Sequence, residues 1–298
     1  CILVDVTSSR QKKRILALAA VFIAVIIAGY WFRVTLHYLW LTSVAAPLAD
    51  ASLSAANDDV EFYEARIVRR IPHNPNSFVQ GLQLIGDAFY EGTGLRGESA
   101  LVRHHFDRQA GTLNTVWRKE LPASEFGEGV AVSDGVIYQL TWKEGQVHRY
   151  RDHDTSPTEL TGFANDREGW DLTTDGGTLI ASDGSDTVFF RSPEDFSVIR
   201  TLEVHHRGRP VMRLNELEFI NGEIWANLWM SQYVVSIDPS SGAVTAIIDC
   251  AALIADAKTT HPDIDYLNGI AWDEVNQHLY LTGKLWPWIY QVALDAKP

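Results

Sequence analysis

From Glu61 onward, apolar and polar residues alternate in short runs broken by Gly, Asn and Asp, the pattern of an all-β chain built from hairpins. Five runs share one text. A polar residue sits just ahead of an alternating strand in Gln80-Gly81-Leu82, Glu128-Gly129-Val130, Glu168-Gly169-Trp170, Asn215-Glu216-Leu217 and Asn268-Gly269-Ile270. After a turn comes a second strand: Ala88-Phe89-Tyr90, Val136-Ile137-Tyr138, Thr178-Leu179-Ile180, Glu223-Ile224-Trp225 and His278-Leu279-Tyr280. Successive polar residues are 48, 40, 47 and 53 positions apart. A four-stranded propeller blade repeats every ~40–50 residues, so the spacing predicts a five-bladed β-propeller with the five polar residues near its axis. Glu61 to Ile71 is expected to complete the last blade from the other end of the chain.

The turns agree. Phe106-Asp107-Arg108-Gln109-Ala110-Gly111 and Ile237-Asp238-Pro239-Ser240-Ser241-Gly242 are two versions of one hairpin turn. In each, Asp bonds its own backbone and Gly takes the left-handed position, joining the outer strands of two blades. Cys250 to Lys258 is Ala-rich and predicts a short helix between the fourth and fifth blades.

The first 60 residues differ. Arg10, Lys12, Lys13 and Arg14 precede an unbroken apolar run of 18 residues, Ile15 to Phe32. That is the short end of a bilayer span and long for a signal-peptide core of roughly 7–15 residues. It predicts a basic inner segment (1–14), a transmembrane signal anchor (15–32), a linker (33–60) and a propeller domain (61–298) on the outer side, periplasmic or extracellular. The alternative is a cleaved signal, for which Ala49-Asp50-Ala51 has the small-x-small form.

Composition narrows the function. The chain has 298 residues, 46% of them apolar, and a net charge of −13, which argues against the basic face that nucleic-acid binding needs. Cys1 and Cys250 fall on opposite sides of the predicted span, so no intrachain disulfide and no zinc site is expected. The chain has no Gly-x-Ser-x-Gly elbow, His-Glu-x-x-His helix or Gly-rich phosphate loop. His104-His105 and His205-His206 read as surface residues.

Glu128, between Gly127 and Gly129 and beside Phe126, is the sharpest chemical candidate. A carboxylate desolvated among aromatics rises in pKa toward the range where it both accepts and returns a proton; the bland alternative is a turn carboxylate bonded to backbone amides. Glu168 sits in a similar context. Asn215 and Gln80 suit orienting a substrate carbonyl or closing a turn. Lys284, in Thr282-Gly283-Lys284-Leu285-Trp286-Pro287, either enters the pocket mouth or is solvated. Trp142, Trp170 and Trp229 are core packing by default.

His73-Asn74-Pro75, Ser77-Phe78-Val79-Gln80-Gly81-Leu82, Phe126-Gly127-Glu128-Gly129, Leu140-Thr141-Trp142, Glu168-Gly169-Trp170, Leu214-Asn215-Glu216-Leu217-Glu218, Asp265-Tyr266-Leu267-Asn268-Gly269-Ile270-Ala271 and Thr282-Gly283-Lys284-Leu285-Trp286-Pro287 together resemble the plant- and bacterial-type glutaminyl cyclases, or glutamine cyclotransferases. The likeness runs in order from about residue 64 to 292. It implies a five-bladed propeller that converts the N-terminal glutamine of peptides or proteins to pyroglutamate and ammonia, with no metal or cofactor, as a monomer. It makes Glu128 the proton shuttle, with Gln80, Asn215 and Lys284 positioning substrate, and Phe78, Phe126, Trp142, Trp170 and Trp229 lining the pocket. Glu168 becomes a turn residue. Gly92, Arg96 and Asp171 depart from the family pattern and are expected at the rim. The alternatives are a non-catalytic, membrane-tethered propeller that binds peptides or glycans, and a calcium-dependent, lactonase-like propeller.

Overall fold

A computed structural model describes residues 60–297. The basic segment, the apolar run and the chain up to residue 59 lie outside the described residues. Among the described residues no helix is long and apolar enough to cross a membrane.

The described chain is all-β. After β1 (Glu61–Pro72) come β2 (Val79–Ile85), β3 (Ala88–Thr93), β4 (Ala100–Asp107) and β5 (Thr112–Glu120), an antiparallel meander. A second is β6 (Gly127–Ser133), β7 (Val136–Thr141), β8 (Gln146–Arg151) and β9 (Thr158–Ala164); a third is β10 (Asp171–Thr174), β11 (Leu179–Ser182), β12 (Thr187–Arg191) and β13 (Val198–Glu203). A small hairpin, β14 (His205–His206) with β15 (Arg209–Pro210), leads to β16 (Leu214–Ile220), β17 (Glu223–Leu228), β18 (Tyr233–Ile237) and β19 (Val244–Asp249). The helix α1 (Ala251–Thr260) follows, burying Leu253 and Ala257, where the Ala-rich stretch predicted it. Last come β20 (Leu267–Asp273), β21 (His278–Gly283) and β22 (Trp288–Ala296).

Strand β1 closes the molecule. It pairs antiparallel with β22 from Tyr63↔Ala296 to Pro72↔Trp288, making a fourth strand for the last group. Its first residues also pair in parallel with β19, Glu61↔Ala246 to Glu64↔Asp249, which joins the last two groups into one eight-stranded sheet. The first strands of the groups, β2, β6, β10, β16 and β20, touch one another in a closed ring.

The apolar alternation of each strand fills the space between adjacent sheets. Ile180, Val188 and Phe190 pack against Leu214, Leu217 and Ile224, while Val79, Leu82 and Phe89 pack against Ala271, Tyr280 and Ile289. The two homologous hairpin turns form as read. Asp107 Oδ1 accepts the Ala110 N–H at 2.9 Å and Asp238 Oδ1 accepts the Ser240 N–H at 2.8 Å. Gly111 and Gly242 take φ of 70° and 77°, a region disfavoured by any side chain.

At the centre, buried carboxylates tie the sheets together by accepting backbone N–H groups across the ring. Glu216 accepts Leu82 N at 3.2 Å and Ile270 N at 2.8 Å, and Asp171 Oδ2 accepts Leu217 N at 2.6 Å. Glu218 accepts Trp272 N at 3.2 Å and Thr173 Oγ1 at 3.0 Å. Burial pushes the Asp171 and Glu216 carboxyls well above the usual range, with the Asp171 charge adding to the rise at Glu216 and the Glu218 charge to that at Asp171, and takes Glu218 up to about 8.

This girdle corrects the third repeat. Asp171 lies beside Gly129, as Gly129 lies beside Gly81. Asp171 bonds the residue after Glu216 just as Glu216 bonds the residue after Gly269. The unit equivalent to Gln80-Gly81, Glu128-Gly129, Asn215-Glu216 and Asn268-Gly269 is therefore Trp170-Asp171, two residues beyond Glu168-Gly169. Asp171 is not a rim residue, nor is Gly92, where a Cβ would overlap the Glu128 carbonyl oxygen.

Candidate active site

The polar residues that open the inner strands sit where those strands converge. Gln80, Glu128 and Asn215 are 4%, 5% and 3% exposed, and Asn268 is fully buried. Asn268 Nδ2 donates to the carbonyls of Val79 (3.1 Å) and Gln80 (3.2 Å), which fixes its flip and turns its Oδ1 toward Asn215 Nδ2 at 2.7 Å. One N–H of Asn215 is thereby used, and its Oδ1 remains an acceptor. Gln80 Oε1 is buried with no protein partner.

Aromatic side chains stand around these groups. Phe78 meets Phe126 edge-on (centroids 6.2 Å apart), and Phe126 meets Trp142 (5.7 Å). On the other side Trp170 meets Trp229 (5.4 Å) and Trp229 meets Tyr266 (6.3 Å). Glu168 joins the halves, its Oε2 accepting both the Trp142 indole N–H at 2.8 Å and the Trp170 indole N–H at 3.2 Å. Lys284 completes the circuit. Its ammonium lies 5.1 Å from the Phe78 ring centre, and its backbone N–H donates to Tyr266 O at 2.9 Å. At 5% exposure Lys284 is no solvated lysine. The nine side chains singled out in the sequence thus fall into one constellation.

The structure also shows why the wall forms. The N–H groups of Gly94, Trp142, Trp229 and Lys284 donate to the carbonyls of Phe78, Phe126, Arg213 and Tyr266 respectively. Lys284 is thus the counterpart of Trp142 and Trp229, and Tyr266 that of Phe78 and Phe126. Tyr266 escaped the sequence reading, although it stands two residues before Asn268, as Phe126 stands two before Glu128. Arg96 and Lys143 were also missed as wall partners. Arg96 stacks 5.8 Å from Phe126 and 5.9 Å from Trp142, and Lys143 lies 4.0 Å over Trp142 while pairing with Glu168 at 3.4 Å. A cleft of about 620 Å³ opens beside Phe78 and Gly94, toward Asn76, Leu95 and Arg118.

Glu128 is not a turn carboxylate held by amides: no hydrogen bond among the described residues engages it. Burial pushes its pKa well above the usual value; Lys284 opposes the rise, and Asp171, Glu144 and Glu168 reinforce it. The desolvation of Lys284 likewise lowers its pKa, against the pull of Glu128 and Asp265. A neutralisable acid and a neutralisable base therefore share one aromatic-walled pocket, the arrangement that suits proton transfer near neutral pH.

Of the paired histidines, His105 is exposed as expected, but His104 and His206 are not surface residues. His206 is 7% exposed, and the His104 side chain reaches the buried Glu91 at 3.2 Å. Among the described residues no three His, Cys, Asp or Glu side chains are grouped to hold a metal ion.

A family profile described as glutamine cyclotransferase matches residues 39–294. The chain belongs to that family. It is 36% identical over 234 residues to a glutaminyl-peptide cyclotransferase of Arabidopsis thaliana, covering 78% of this chain and 71% of the relative. The crystal structure of the Myxococcus xanthus glutaminyl cyclase superposes with a TM-score of 0.72 at 34% identity, over 80% of this chain and all of that one.

Proposed function

We propose that this cyclotransferase closes the N-terminal glutamine of a peptide or protein into pyroglutamate, on a five-bladed β-propeller whose Glu128 carries the proton. The observation that supports Glu128 most is its carboxyl: buried, unbonded by protein groups among the described residues, and shifted toward neutrality in a pocket walled by aromatics. Its counterparts on the ring are the amides Gln80, Asn215 and Asn268 and the indole Trp170, so only one ring position holds a free carboxyl.

The reaction is internal to the substrate. The neutral α-amine attacks the γ-carboxamide carbon, forming the lactam C–N bond, and the carboxamide nitrogen departs as ammonia. Effective molarity is built into the substrate, so the pocket has to hold a ring-like conformer and move one proton. Ionised Glu128 accepts that proton from the attacking nitrogen and returns it to the leaving nitrogen. Lys284 is the strongest donor for the developing oxyanion, because its charge is desolvated with that of Glu128. Gln80 and Asn215 present acceptors that suit the substrate amine and carboxamide. Phe78, Phe126, Trp142, Trp170 and Trp229 supply flat apolar walls for the glutamine stem.

The test is ammonia release from a Gln-initiated peptide, with and without a chelator. Turnover that persists with chelator fits the cyclase. Turnover abolished by chelator supports a metal-dependent hydrolase, and binding without turnover supports a peptide-binding module. Residues 15–32 act in this reading as a membrane anchor that leaves the enzyme on the outer side. The protein should then stay with membranes after salt washing, and recovery of a soluble form starting near residue 52 would refute the anchor.

A further inference from the structure

The turn that delivers Phe78 to the pocket, residues 73–78, is held from below by a cluster the reaction does not use. Glu91 on β3 is buried, and three side chains converge on its carboxylate. The Ser77 hydroxyl donates to Oε1; His73 Nε2 and His104 Nε2 lie 3.1 and 3.2 Å from Oε2. The same turn is stitched to the segment that follows Lys284. Leu285 N donates to Ser77 O at 2.8 Å, His73 N donates to Pro287 O at 2.9 Å, and His73 Nδ1 lies 3.1 Å from Trp286 O.

The protons follow from the partners. A carbonyl oxygen only accepts, so His73 Nδ1 carries a hydrogen toward Trp286. The carboxylate of Glu91 also only accepts, so Nε2 must carry one too, and His73 is an imidazolium. The charges agree with this. Burial pushes Glu91 up, but the two imidazoles more than offset it and hold Glu91 well below the usual range. Burial pushes His73 down, and Glu91 reverses that. His104 is the one other titratable group on the carboxylate, and its Nδ1 meets Thr115 Oγ1 at 3.2 Å.

We propose that Glu91 is a positioning residue of the active site: ion-paired to His73 and bonded to Ser77, it fixes the 73–78 turn and, through that turn, sets Phe78 against the pocket. This rests on the cyclotransferase reading of the pocket. A buried ion pair adds little stability over a well-packed apolar pair; what this one adds is direction, since two of the three donors on the carboxylate, Ser77 and His73, belong to the turn and leave it a single placement. Phe78 is where that placement reaches the substrate.

The test uses the full chain with ring-¹⁵N histidine. In the unmodified protein at pH 7 the His73 ring should show both nitrogens protonated, and in Glu91→Gln a neutral ring protonated at Nδ1. With a Gln-initiated peptide, Glu91→Gln should lose about tenfold in kcat/KM, a cost of order 1.4 kcal/mol. In a Phe78→Ala background the same change should cost less than about twofold, because residues that act through one another are not additive. Ser77→Ala, a milder cut that keeps the ion pair, should show the same non-additivity on a smaller scale. A neutral His73 in the unmodified protein, or equal losses in both backgrounds, overturns the proposal. Failure of the unmodified protein to release ammonia would instead sink the underlying functional reading, and the His73 spectrum distinguishes the two.

Discussion

Replacing Glu128 by Gln removes one charge and one transferable proton while keeping the size of the side chain. General acid–base groups contribute roughly 100- to 10,000-fold to rate, so kcat should fall by that factor, or about 3–5 kcal/mol of transition-state stabilisation. Stability should move the other way. Burial raises the carboxyl above its unfolded value, so the stability it carries is complete below the unfolded pKa, near 4.3, and drains away as pH rises through the higher folded pKa. Gln has no such loss. The variant should melt no lower than the parent at pH 5 and relatively higher at pH 8. No hydrogen bond to the carboxylate is lost among the described residues to offset this. Steady-state ammonia release paired with thermal melts at the two pH values is the assay. Turnover within about tenfold of the parent would refute the proton-carrier assignment. A collapse of the melting temperature would refute the claim that the carboxylate is structurally idle.

Lys284 lowers the Glu128 pKa, so Lys284→Met should move the acid limb of the kcat/KM profile to higher pH as well as reduce its height; an unmoved limb would mean that the two charges do not act on each other. Glu168→Gln should raise KM several-fold and leave kcat within about fivefold, because the carboxylate orients the Trp142 and Trp170 indoles rather than moving protons; a loss as large as that of Glu128→Gln would reverse the assignment. Glu216→Gln should cost about 1–3 kcal/mol in urea unfolding, since one of the two backbone N–H donors on its carboxylate would then face an amide NH₂; an unchanged midpoint would show that the central bonds carry no net stability.

The repeat was legible because hairpin physics is local. A strand with one buried face alternates, a tight turn needs Asp, Asn or Gly, and neither depends on distant residues. The closing role of Glu61–Pro72 and the helix after Cys250 followed from the same local text. So did the apolar run at 15–32, whose length is its own signal. The pattern alone left Trp142, Trp170 and Trp229 as core packing and Gln80, Asn215 and Lys284 open between turn and pocket; the resemblance, not the repeat, grouped them with Glu128.

Tertiary structure decided the rest. Local spacing placed Glu168 on the axis, but the ring is defined by which residue can approach its neighbour's glycine, and that is Asp171. Glu168 then falls outside, where two indoles capture it. Whether Lys284 faces water or the pocket depends on strand β1, which closes on β22, and on the 73–78 turn; β1 and that turn are more than 200 residues away in sequence. The balance at Glu128 between desolvation and a nearby ammonium is a sum over groups from several sheets, fixed only once they share a dielectric. The sequence by itself determined which residue types recur and at what period; the three-dimensional closure of the ring determined which of them lost their water, and pKa follows from that loss.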